Sequence, residues 1–249
     1  MGGQGVLLLF TKNTLSTASV WFILQRSIAT VAELEMTETK LIVKPRLRGV
    51  SHKFAFFAAT VAGLGLVLAA PAKDRIPIAI YALSLMAMFG ASALYHRGKW
   101  TERQHPWFRR LDHSMIFVLI AGTFTPIATL VVNGTLGDVI LAVVWGGAIA
   151  GIIVTMLWVD APTWITAIIY VSLGWISVVM LPALVDASGV GAVVLLGAGG
   201  VLYTLGAVVY ATHRPDPIPH VFGYHEVFHV FVIAAATVQF VAIAIYAIP

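Results

Sequence analysis

Three short patterns in this sequence collect residue types that do metal and acid–base chemistry. Ser92 and His96 stand four apart in SALYHR, Asp112 stands beside His113 in LDHSM, and His225 and His229 stand four apart in FGYHEVFHVF. Residues i and i+4 share one face of a helix, so each pair presents its polar groups to the same side. Three imidazoles with a carboxylate or water suit tetrahedral Zn2+, which lowers the pKa of its water to about 7. His225 and His229 offer two ring nitrogens from one helical turn, and His96 offers a third. Asp112 then either completes the ligand set or holds the water as general base. Ser92, one turn from His96, hydrogen-bonds that water or a substrate oxyanion. The chain has no cysteine, which excludes disulfides, thiolate ligands and cysteine nucleophiles. Nitrogen-rich ligation without thiolate leaves few rivals to zinc.

Taken singly, each of these residues also has a structural reading. An interfacial histidine faces headgroups, Asp112 pairs with Arg109 or Arg110 as a topology anchor, and Ser92 is a small residue that lets helices approach. It is the set of five on three helix ends that points to a metal site. His52, His105, His113, His213 and His220 read as interface, loop or supporting positions. The run His225-Glu226-Val227-Phe228-His229 also fits the H-E-x-x-H pattern of zinc proteases. Nothing after His229 is Asp, Glu or His, so any further ligand comes from earlier helices. Glu226 reads instead as a residue beside the site or one facing the headgroups.

The elements that position these groups are membrane spans. Of the 249 residues, 59% are hydrophobic and 10% charged, with a mean hydropathy of +0.93. Soluble domains have about 45–50% apolar and about 25% charged residues, so a water-soluble enzyme, a disordered chain and a secreted disulfide scaffold are excluded. The net charge of +4 forms no basic stripe between polar segments, which argues against a nucleic-acid partner. Seven stretches approach the roughly 20 apolar residues that cross a bilayer: Phe54 to Ala70, Ile76 to Tyr95, Ser114 to Val132, Val139 to Val159, Trp164 to Leu184, Val190 to Thr212 and Val227 to Ile248. Barrel strands would be about ten residues long with alternating polarity. The fold class is therefore an all-α integral membrane protein, a seven-transmembrane helix bundle over 54–249, placed in the cell membrane. Pro126 is expected to kink the third span, with Thr123 and Thr125 satisfying freed carbonyls. Glycines of the fourth and sixth spans (Gly146, Gly147, Gly151, Gly197, Gly199, Gly200, Gly206) read as close helix packing. Trp100, Trp107, Trp145, Trp158, Trp164 and Trp175 read as an interfacial belt.

Basic residues set the orientation. Eleven Lys and Arg fall in 36–53 and in the second–third and sixth–seventh loops, against Lys73 and Arg75 on the other side. The N-terminus is expected in the cytoplasm and the C-terminus outside, with 36–53 a basic cytoplasmic leader. Residues 1–35 read as an extension: a weak signal-like segment, an interfacial helix, or a start site placed too early, Met36 being favoured as the true start.

KPRLRG, SALYHR, LDHSMIFVLIAGTFTP and FGYHEVFHVF together resemble the bacterial haemolysin III branch of the progesterone and adipoQ receptor family, from about Lys44 to the C-terminus. The resemblance implies seven helices, zinc near the cytoplasmic leaflet held by His96, His225 and His229, Asp112 holding or sharing the zinc water, and Ser92 assisting. It also implies kinship with alkaline ceramidases at this site, and hence hydrolysis of a lipid amide or ester in membrane lipid homeostasis. Receptor members carry glutamine where Glu226 stands, which argues against Glu226 as an obligatory base. Two other functions stand beside the hydrolase: a membrane sensor with structural zinc, and a haemolysin-like cytolytic protein. The sequence shows no amphipathic insertion segment or charged pore row for the latter. The partners expected are the bilayer and a membrane lipid as substrate.

Overall fold

The structure, a computed structural model, describes Trp21, residues 25–28 and residues 45–248. The chain divides into two compact units, Met1–Lys44 and Pro45–Pro249. Expectations for residues 1–35 and for 36–44 lie outside the described residues, apart from the helical Trp21 and 25–28. The second unit carries seven helices long and apolar enough to cross a membrane: α1 (Val50–Ala69), α2 (Ala72–Arg97), α3 (His105–Val132), α4 (Gly134–Leu157), α5 (Thr163–Ser188), α6 (Val190–Thr212) and α7 (Tyr224–Tyr246). Among the described residues there is no strand, only an isolated bridge between Ile218 and Phe222. The protein is a multi-pass integral membrane protein, with seven membrane-spanning helices among the described residues.

Chain neighbours pack on one another, and α1 closes against α7. Helices α2 and α3 form the centre, whereas α5 buries few of its residues. In lipid, helices associate by close packing rather than by expulsion of water. Small residues mark where that packing is tightest. A side chain at Gly151 would collide with the Phe117 ring, at Gly147 with Leu173 and at Gly199 with Gln239, and at Gly206 it would sit tightly against Phe231. Gly146, Gly197 and Gly200 have open space beside them, so the close-packing expectation fails at those three. Gly197 and Gly200 instead border a cavity.

Several boundaries differ from the apolar runs, for one reason: hydrophobicity stops at a charged residue, but helical hydrogen bonding does not. Helix α1 begins at Val50 rather than Phe54, α3 at His105 rather than Ser114, and α7 at Tyr224 rather than Val227. The last is nucleated by a cap, since the Gly223 N–H donates to Glu226 Oε2 at 2.8 Å, half of a capping box. Helices α5 and α6 meet with almost no loop, at Gly189 (φ 75°, ψ 177°), a conformation only glycine adopts freely. After Pro126, residues Ile127–Val132 widen to a π-helix, as expected where a proline removes a rung. Thr123 and Thr125 donate to Leu119 O and Ala121 O at 2.8 Å. Neither bonds Gly122 O, the carbonyl whose partner Pro126 removes. The aromatic belt also holds only in part. Trp107, Trp158 and Trp164 are exposed near span ends, but Trp145 donates to Thr125 Oγ1 at 3.2 Å and Trp175 to Thr204 Oγ1 at 3.0 Å.

Candidate metal centre

Because successive spans alternate in direction, α1 begins, α2 ends, α3 begins and α7 begins at one end of the bundle. That juxtaposition gathers the polar residues of four helices. His96 Nε2 lies 3.1 Å from His225 Nε2, and the ligand atoms of His96, His225 and His229 all lie within 4.8 Å of one another. Asp112 Oδ2 stands 3.8 Å from His96 Nε2. Ser92, His96, Asp112 and His229 are buried, and His225 is partly so. All five residues named from the sequence meet at one place.

The cluster fits a metal ion. Zinc–nitrogen bonds of 2.0–2.1 Å in a tetrahedron put donor atoms about 3.3 Å apart, close to the spacing of the two facing Nε2 atoms. His229 Nδ1 is buried with no hydrogen-bond partner, a costly arrangement for an imidazole nitrogen in an apolar interior. Three histidines positioned in this way can hold a metal ion.

A fourth imidazole completes the cluster. His52, in the first turn of α1, is buried and stacks on His229 with ring centroids 3.7 Å apart and planes 12° from parallel. Its Nδ1 lies 2.8 Å from Ser92 Oγ, and Ser92 neighbours the Asp112 carboxylate. With Nδ1 carrying the proton, His52 donates to Ser92 Oγ and leaves the hydroxyl proton free to point at Asp112. The one signal for His52 in the sequence was a histidine two residues ahead of an apolar run, at the same end of the bundle as the other five residues. Replacing His52 by Phe keeps the stack and deletes the bond, and should lower stability by about 1–2 kcal/mol. An unchanged midpoint in detergent-denaturant unfolding would show that the bond to Ser92 contributes nothing.

The segment before α1 is part of the same assembly. Arg46 N–H and Leu47 N–H donate to His220 O and Val221 O, both at 3.1 Å, which ties it to the α6–α7 loop. Gly49 takes φ 74°, and a side chain there would collide with His96. Arg48 Nε pairs with Glu226 Oε1 at 2.6 Å. Glu226 is 1% exposed, so it faces Arg48 and its own helix cap rather than the headgroups. Asp112 does not anchor topology through a nearby arginine either. Arg109 pairs with Asp160 at 2.7 Å and Arg110 donates to Met156 O at 3.0 Å. Of the remaining histidines, His113 borders the cavity, His105 lies against Tyr95 and His213 against Tyr224, and His220 is exposed.

An apolar cavity of about 250 Å3 leads from the cluster into the bundle. Ser92, Asp112, His225 and His229 form its polar mouth, and Leu119, Phe124, Val193 and Val232 are among the apolar walls. The wall between α5 and α6 is thin, because Gly174, Gly197 and Gly200 line it with open space at each Cβ position.

Comparison with known proteins gives one consistent match. A family model described as haemolysin-III related covers residues 40–240. The chain is 30% identical to hemolysin-3 of Bacillus cereus over 75% of this chain and 89% of that protein. It is 28% identical to the hemolysin-3 homolog of Bacillus subtilis (strain 168), over 75% and 91% of the two chains. A human relative, monocyte to macrophage differentiation factor, is 25% identical over 68% of this chain and 70% of its own length.

Proposed function

The chain belongs to the haemolysin-III related family, and from that premise we propose that it is a zinc-dependent intramembrane hydrolase of a lipid amide or ester bond. The observation that carries this reading is the opening of an apolar cavity directly onto histidine, aspartate and serine side chains. A structural metal site needs no such cavity, whereas an enzyme for lipids needs both an apolar berth and reacting groups at its mouth. His96, His225 and His229 would hold the ion. Zinc supplies Lewis acidity and lets water ionise near neutral pH.

The chain's own residues supply the rest. Asp112 accepts the proton of the attacking water as general base. The Ser92 hydroxyl, held from behind by His52 Nδ1 at 2.8 Å, donates to the oxyanion that develops on the acyl carbonyl. The His52 N–H takes one of its acceptor lone pairs, so its proton can turn from Asp112 to the oxyanion. The acyl chain lies along the apolar cavity, which excludes bulk water. The excess of basic residues at this end supports placing the mouth at the cytoplasmic leaflet of the plasma membrane, with substrate entering laterally through the thin α5–α6 wall.

Turnover of fluorescent ceramide and acyl-ester probes by the purified protein tests the reading. Asp112→Asn keeps the shape of the carboxylate and removes its basicity, and should lower turnover about a hundredfold while the metal is retained. Equal turnover by wild type and variant would refute the base. Retained metal with no turnover by wild type would leave zinc a structural pin between α2 and α7.

A further inference from the structure

The cavity has a second polar region far from the histidines. Tyr203 of α6 and Gln239 of α7 line it. Tyr81 of α2 lies behind this lining, its ring 6.4 Å from that of Phe240, the residue after Gln239. The hydroxyls of Tyr81 and Tyr203 are buried with no hydrogen-bond partner. Among the described residues no hydrogen bond engages the Gln239 amide either, although its aliphatic stem packs on Gly199.

These three groups lie well inside the bundle. Gln239 is ten residues beyond His229, Tyr81 eleven before Ser92, and Tyr203 seven before Tyr210 at the mouth. With a rise of about 1.5 Å per residue, they lie roughly 10–17 Å into the bundle. Here water is scarce, and an unsatisfied polar group costs several kcal/mol. Polar residues at such depth, facing a cavity rather than lipid, mark a ligand pathway. Between them and the mouth the lining is mostly apolar, including Met88, Leu119 and Val232.

We propose that Tyr203 and Gln239 form a second subsite that binds an oxygen on the hydrocarbon chain of the ligand. The ligand class is a long-chain lipid with a hydroxyl or keto group roughly 15 Å from its head. Phenols donate to either group and the glutamine amide both donates and accepts, so a chain hydroxyl satisfies what the protein leaves open. The inference rests on the cavity holding a lipid chain, as in the function proposed above. Buried water is the other source of the same hydrogen bonds, and the test separates the two.

The full chain in detergent is titrated with octadecanoic acid and with hydroxyoctadecanoic acids bearing the hydroxyl at successive positions along the chain, in competition with a fluorescent fatty acid. One hydroxylated isomer is expected to bind about tenfold more tightly than the unsubstituted acid. Tyr203→Phe with Gln239→Leu should erase that preference and leave octadecanoic acid within about twofold of wild type, and Tyr203→Phe alone should weaken it should the double variant misfold. Equal binding of every isomer and the parent acid would mean that water satisfies these groups; it overturns the subsite and leaves the hydrolase reading intact. Failure of any acid to compete overturns the subsite together with the chain-binding cavity. Selective binding without lipid turnover supports the subsite and counts against the hydrolase alone.

Discussion

Replacing His225 and His229 together by alanine is expected to abolish metal binding. Wild-type protein purified without chelators should carry about one zinc per chain by mass spectrometry, and the double variant none. The reasoning is thermodynamic. Structural zinc sites with a full ligand set bind with about 10–16 kcal/mol of apparent free energy, and this change removes two of the three histidines within 4.8 Å of one another. His96 and Asp112 alone cannot recover that loss, so occupancy should vanish at any accessible zinc concentration. A second readout follows from linkage. Zinc at about a hundred times its Kd should stabilise wild type by about 2.7 kcal/mol and the variant by nothing. His220→Ala, at an exposed loop position, serves as the control and should keep its metal. A metal-free wild type, or equal zinc in the double variant, would remove the foundation of the proposed chemistry.

What the sequence disclosed follows from which forces act locally. The seven spans were legible because each satisfies its own backbone hydrogen bonds and must be apolar over the bilayer thickness. Ser92, His96, Asp112, His225 and His229 were legible because helical spacing and alternating span direction together bring them to one end. His52 was less so. It offers no partner at i+4, and its value lies wholly in contacts with Ser92 and His229, 40 and 177 residues away. Gly49 is a similar case, because its close approach to His96 is a tertiary fact. Arg48 was counted as one positive charge among eleven, a reading that treats every arginine as solvated. In the structure its charge is spent on a buried carboxylate, so it positions α7 as well as biasing topology. The same contact explains the H-E-x-x-H run: the two histidines join the cluster, while the glutamate serves the helix cap and Arg48.

That contact makes the second large effect. Arg48→Ala should destabilise the protein by about 3 kcal/mol, because it strands the Glu226 carboxylate in a nearly dry site with the Gly223 N–H for company. Breaking a fully buried pair costs about 3–5 kcal/mol; the Arg48 side chain is 17% exposed, which places the expectation at the low end. Glu226→Gln should cost less, since a neutral amide can still accept from the Gly223 N–H and leaves no buried charge behind. The double variant Arg48→Ala/Glu226→Gln should then be more stable than Arg48→Ala alone, the signature of coupling in a mutant cycle. A purely superficial arginine would give additive changes within about 0.5 kcal/mol. Zinc affinity gives a second axis. His225 lies one residue before Glu226 in the first turn of α7, so fraying of that turn displaces a ligand, and Arg48→Ala should weaken zinc binding by about tenfold to a hundredfold, the range expected when support for a ligand is lost. Stability lost with zinc affinity unchanged would confine Arg48 to the fold; both lost together, and both partly restored in the double variant, would make the segment before α1 part of the metal centre.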